Sequence, residues 1–160
     1  RFMFREMKRK ERQLSAELTE KILNKCTSGV LSVIGDDGYP YGVPVSYAYS
    51  DGKIFFHCAK EGHKVDAIKN NPKVSFTVIA QDDVIPEKYG TDFASVIAFG
   101  KASFVEDPEE MLQSHIPIIE KYSNEYYDGG IEYFNKAKAA MRMVKIDIEH
   151  ITGKGKGVRI

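Results

Sequence analysis

Tryptophan is absent from this 160-residue sequence, cysteine occurs twice, and 23 Lys and Arg residues are matched by 23 Asp and Glu, leaving no net charge. Each shortage excludes something. Cys26 and Cys58 lack CxxC spacing, which argues against a zinc ribbon, a dithiol redox motif or a disulfide scaffold. The even charge argues against a general nucleic-acid binder. No apolar run approaches the roughly 18 residues of a membrane-spanning helix, and no signal-peptide pattern opens the chain. A chain of this size buries close to about 70% of its unfolded surface, so it needs neither disulfide nor metal to hold a core. The expectation is one domain over residues 1–160, reduced and cytoplasmic, with no metal, nucleic-acid or membrane partner.

The balance conceals an asymmetry. Residues 1–12 hold six basic groups against Glu6 and Glu11, and the tail 153–160 adds Lys154, Lys156 and Arg159 with no acid. The body between carries 14 basic and 21 acidic residues, a net of −7. Two basic ends on an acidic body either meet an anionic ligand together or fray separately into solvent.

Periodicity then orders the chain. Ser15 caps a short amphipathic helix that presents Leu18, Ile22, Leu23 and Cys26 on one face. An apolar strand at 30–34 meets the hairpin signal Asp37-Gly38 and returns through 39–49, where Pro40 and Pro44 demand an edge, bulged or bent strand. A strand at 53–58, a helix at 61–70 and a strand at 73–80 follow, then a loop at 81–92. A long strand at 94–105 holds Gly100, read as a bulge or a point of close approach. Asp107-Pro108-Glu109-Glu110 starts a helix that Pro117 breaks or kinks. A helix at 131–141, a sixth strand at 143–148 and a mobile glycine-lysine tail complete the order. Hairpins with short turns and few helices predict a mainly β fold, an antiparallel barrel of about six strands with peripheral helices.

The densest polar constellation is the stretch from His57 to Lys64, where a strand passes into a helix. Free N–H groups at that helix start, with Lys60, His63 and Lys64 around them and Gly62 permitting close approach, suit a phosphate; the plain alternative is a solvated basic turn. His57 and His63 lack a third metal ligand at useful spacing. Cys58 is either a nucleophile beside His57 or a half-buried packing residue. His115 falls on an apolar helix face and reads as a satisfied core histidine. Tyr122, Tyr126, Tyr127 and Tyr133 read as surface packing or a contact between subunits. Ser95 either aims a hydroxyl inward or caps a strand edge.

Several motifs in order carry a resemblance: residues 3–7, 27–31 and 35–41, Val43-Pro44-Val45-Ser46-Tyr47, the run 51–64, the strand 95–100 and His150-Ile151-Thr152-Gly153-Lys154. Together they closely resemble the nitroimidazole-resistance (nitroimidazole reductase) family of the pyridoxamine 5′-phosphate oxidase-like, FMN-binding split-barrel proteins. The resemblance implies a six-stranded antiparallel split barrel and a homodimer with FMN at the subunit interface. It places Val45 and Ser46 against the polar edge of the flavin ring, and His57 and Cys58 along its ribityl and phosphate side. His63 and Lys64 would hold the phosphate, with Lys60 and Gly62 shaping the turn. Ser95 would reach the ring from the neighbouring subunit, while Thr152 and Lys154 would close the cleft.

The same resemblance implies reduction of small nitroaromatics such as 5-nitroimidazoles, with His57 in a catalytic role. The tail lacks the histidine, and the chain the tryptophan, of the pyridoxamine phosphate oxidases, so oxidation of pyridoxamine phosphate is not expected. The alternative is a flavin- or haem-type cofactor-binding or storage module without turnover.

Overall fold

Seven strands arise where β-branched and aromatic residues alternate: β1 (Ser28–Ile34), β2 (Pro40–Ser46), β3 (Ala48–Ser50), β4 (Lys53–Ala59), β5 (Lys73–Ile85), β6 (Gly90–Val105) and β7 (Met141–Lys156). Four α-helices join them: α1 (Ala16–Lys25), α2 (His63–Asn70), α3 (Pro108–Ser123) and α4 (Tyr127–Ala137). The computed structural model describes residues 3–160; Arg1 and Phe2, at the tip of the basic N-terminal arm, lie outside the described residues. All strand pairs are antiparallel, in the order β2-β1-β5-β6-β7-β4-β3.

The seventh strand comes from a division within the expected return strand. β2 and β3 flank Tyr47 and sit at opposite ends of the sheet order, so this one run carries the chain from one edge of the sheet to the other. Tyr47 turns inward, fully buried, and its hydroxyl donates to the Leu23 carbonyl at 2.8 Å. Its own N–H donates to the Tyr122 hydroxyl at 3.0 Å, and its carbonyl lies 2.6 Å from the same oxygen. A side chain from α3 thus replaces a strand neighbour at the bend. β2 has a free edge, which accommodates Pro40 and Pro44 without loss of ladder bonds.

The barrel interior is filled by Tyr47, Phe56 and Phe76 with Leu31, Val78, Val96 and Ile146, and by Ile22 and Leu23 of α1. Burial of each such side chain contributes roughly 1.5–3 kcal/mol. The Ser15 hydroxyl caps α1 by accepting from the Leu18 N–H at 3.1 Å, and Asp107 caps α3 by accepting from the Glu110 N–H at 3.0 Å. Outside the barrel, α3 lays Met111 and Ile118 over Phe55, Val105 and Met143. This outer cover explains why β4 is buried on both faces over Ile54, Phe55 and Phe56.

Four local expectations change. The loop expected at 81–92 shrinks to a tight turn over Pro86–Lys88 and Tyr89. After a bulge at Ala80, β5 and β6 stay paired through Ile85 opposite Gly90, because backbone bonds extend a hairpin whose polar side chains conceal it. Pro117 does not break α3, which runs on to Ser123. The carbonyl deprived of its partner belongs to Gln113, on the exposed face where water can reach it. The sixth strand expected at 143–148 continues to Lys156 in β7, past a shift in register between Phe99 and Gly100. Glu149 is the extra residue there, and a Cβ on Gly100 would collide with the Asp147 carbonyl.

The glycine-lysine tail is the fourth. Lys154 and Lys156 lie within β7, and Arg159 reaches Asp83 at 2.7 Å and Asp92 at 2.9 Å. Acids of the β5–β6 hairpin thus hold its basic end. Among the described residues no helix is long and apolar enough to cross a membrane.

Candidate functional site

β3 pairs only with Lys53, Ile54 and Phe55 of β4, so the remainder of β4 has one free edge, as does β2. The barrel is split between these two edges. Val45 and Ser46 lie at the end of β2 that runs into Tyr47, whereas Cys58 stands near the end of β4 that leads into α2. The turn into α2 borders the Tyr41 end of β2. There His63 stacks on Tyr41 of β2 with ring centroids 4.1 Å apart, and its Nε2 is 4.0 Å from an Asp36 carboxylate oxygen.

The turn has the features of an anion cradle. Gly62 adopts φ 148°, a conformation open to glycine, and no side chain caps the first N–H groups of α2. Arg142, opposite Cys58 on β7, donates from Nε to the Lys60 carbonyl at 2.7 Å, and so stands beside the turn. Lys64 and Arg142 both pull the Cys58 thiol pKa down, but burial outweighs them and pushes it up. Cys58 is therefore a protonated packing residue and not an activated nucleophile. Free N–H donors with Lys60, His63, Lys64 and Arg142 around them fit a terminal phosphate.

Against α3 the ring of His57 lies 5.7 Å from that of His115, and His115 stacks on Phe134 at 4.7 Å. Partial desolvation lowers the pKa of His57, which stays exposed, while burial takes that of His115 down to about 4, with the neighbouring His57 adding to the second effect. His115 is only 4% exposed, as the sequence suggested, yet it is not satisfied: among the described residues its Nδ1 has no hydrogen-bond partner. The two histidines line a cleft of about 260 Å³ with Ile118, Tyr122, Tyr126 and Tyr133. Tyr47, which follows Ser46, bonds the Tyr122 hydroxyl through its N–H and carbonyl, which ties this end of β2 to the cleft. Lys121, beneath it, donates to the carbonyls of Leu23 and Cys26 and lies 4.1 Å over the Tyr47 ring.

One protomer does not bring every expected site residue together. Ser95 and Lys154 pair across β6 and β7 and share a depression of about 210 Å³ with Thr152, Arg5, Phe99 and His150. His57 pairs with Met143, nine residues before Thr152 on the same strand, a span of roughly 30 Å at about 3.3 Å per residue. Arg142 was missed in the sequence because only the β4–β7 register sets it against Cys58. His115 was visible there on an apolar helix face and the tyrosines as surface packing or a subunit contact, but nothing in either pattern pointed them at His57.

Against known proteins, the family model matching residues 15–155 is that of pyridoxamine 5′-phosphate oxidase. Solved structures share the fold. A candidate 5-nitroimidazole antibiotic resistance protein from Bacteroides thetaiotaomicron has 22% identity and a TM-score of 0.75, over 89% of this chain and 85% of that one. An FAD-binding protein from Mesorhizobium loti has 25% identity and a TM-score of 0.64, over 91% and 98%. An FAD- and heme-binding protein from Mycobacterium smegmatis has 15% identity and a TM-score of 0.74, over 92% and 74%. None of the curated proteins compared with the chain matches it.

Proposed function

The chain belongs to the pyridoxamine 5′-phosphate oxidase family, and from that premise we propose an FMN-binding oxidoreductase, active as a homodimer, that reduces small nitroaromatics such as 5-nitroimidazoles. One observation carries the reading: the split between β2 and β4 ends on an uncapped helix N-terminus surrounded by Lys60, His63, Lys64 and Arg142. A flavin mononucleotide ends in the single phosphate that such a cradle accepts. Its ring would then extend along β2 toward Val45 and Ser46, past His57. Likeness to proteins that bind flavin supports the same class of cofactor.

Two copies account for the remaining residues. Ser95, Thr152 and Lys154 are too distant in one chain to touch a cofactor at the split, and a second protomer can supply them. When bound, the flavin supplies the electron transfer. The protein's part is to hold the phosphate, shield the ring from water and keep His57 beside the reacting end. Partial desolvation depresses the pKa of His57, so proton supply from its imidazolium weakens from below the ordinary histidine range upward in pH. Cys26 and Cys58 are free thiols, in keeping with a reducing cytoplasm.

The test is the visible spectrum of the purified protein, with FMN titrated in if it arrives colourless. A flavin spectrum, with FMN released on denaturation, supports the cradle; failure to bind FMN at micromolar levels overturns it. A steady-state assay with a reduced nicotinamide donor and nitro acceptors then separates an enzyme from a cofactor store without turnover. His57→Ala lowers turnover while FMN stays bound; unchanged turnover would assign His57 a structural role.

A further inference from the structure

The cleft beneath α3 and α4 differs in chemistry from the basic turn. No Lys, Arg, Asp or Glu lines it, and three of its walls are phenol rings. Tyr126 and Tyr133 are 73% and 62% exposed, so large apolar rings face solvent across a concave site. At its base His115 carries a nitrogen with no partner. A buried polar atom left unpaired is costly, and such exceptions mark strain, chemistry or a missing ligand. With its pKa held to about 4, His115 is neutral under physiological conditions and can hydrogen-bond without bringing a charge.

Size narrows the occupant. A cavity of about 150 Å³ suffices for benzene, and this one of about 260 Å³ has room for a single substituted ring. A three-ring flavin with its ribityl phosphate does not fit, and the absence of cations from the lining disfavours an anion.

We propose that this cleft binds an uncharged, single-ring nitroaromatic between Tyr126 and Tyr133, hydrogen-bonded at His115 and in contact with His57. The proposal rests on and deepens the reading of the protein as a nitroaromatic reductase: it makes α3 and α4 the seat of the acceptor, next to His57, which that reading sets beside the flavin. Tyr122 is the rigid wall, since its hydroxyl is already engaged by Tyr47 and Thr27. Tyr126 and Tyr133 are the walls that discriminate.

The test exploits the small number of histidines, four in all, by following their imidazole protons by NMR. The flavin-free protein is titrated with 1,2-dimethyl-5-nitroimidazole and, separately, with 4-nitrobenzoate, a planar anion of similar size. The neutral probe shifts His57 and His115 saturably and leaves His63 and His150 in place. The Tyr126→Ala/Tyr133→Ala double variant weakens this binding about tenfold, and the anion binds about tenfold more weakly than the neutral probe. Equal affinity for both probes, unchanged affinity in the double variant, or shifts confined to His63 and His150 would overturn the proposal.

Repeating the titration with FMN keeps the two readings apart. Probe binding at His57 and His115 in a protein that never takes up FMN sinks the flavin reading and leaves the cleft. FMN uptake with both cleft histidines silent in flavin-free and loaded protein sinks the cleft and leaves the flavin.

Discussion

His115 offers a prediction in which a core substitution improves the protein on one side of the pH scale. An unfolded histidine titrates near 6.5, whereas burial holds His115 down to about 4. Between these values the unfolded chain binds a proton that the folded chain refuses. Stability from this residue is therefore complete above pH 6.5 and is lost as the pH falls toward 4. The full window is worth about 3 kcal/mol, and about 2 kcal/mol is already gone at about pH 5.

His115→Leu removes that dependence with a side chain of similar volume. Near neutral pH it also removes the unpaired Nδ1, a gain of roughly 1–3 kcal/mol, and loses the stack on Phe134, a cost of roughly 0.5–1.5 kcal/mol. The two proteins should lie within about 1 kcal/mol of each other at neutral pH. The variant should be the more stable by about 2 kcal/mol at about pH 5, measured by urea unfolding at each pH. His57 changes in the same sense and remains in both proteins. Should the gap between them stay constant across the window, the buried neutral state of His115 is refuted.

Three further substitutions probe separate parts of the argument. Lys64→Ala removes a cation from the cradle and should weaken FMN binding by about ten- to a hundredfold in a flavin titration, with secondary structure unchanged by circular dichroism. Gly100→Ala drives a Cβ into the Asp147 carbonyl; it should cost about 1–3 kcal/mol, read as a lowered urea midpoint. Tyr122→Phe leaves the Tyr47 N–H at the barrel bend without its acceptor; a loss of about 1–2 kcal/mol should lower the melting temperature by about 2–4 °C for each kcal/mol.

Local chemistry made much of the fold legible before any coordinates. Ser15 and Asp107 announce their helices because a side-chain oxygen satisfies an orphan N–H within three residues. The Asp51-Gly52 turn is equally local, with both residues at positive φ. The two prolines of β2 called for an edge, bulged or bent strand, and β2 is an edge. The basic turn at Lys60 to Lys64 was readable for the same reason: its donors and its glycine are contiguous. The hairpin extension at residues 81–92 escaped notice because backbone pairing alone sustains it, and its Gln-Asp-Asp start carries no alternation of apolar residues.

Those features depend on neighbours in the chain, and so the caps, the tight turns and the basic turn after β4 follow from residue order alone. Packing between distant segments decided the rest. Tyr122 and Tyr47, 75 positions apart, make the bend that divides one strand into two. The β4–β7 register sets Arg142 beside the turn, and α3 folding over β4 converts His115 from a periodic helix residue into the unpaired base of a cleft shared with His57. Periodicity reports which face of an element is buried; what that face meets is settled only when elements from elsewhere in the chain pack against it.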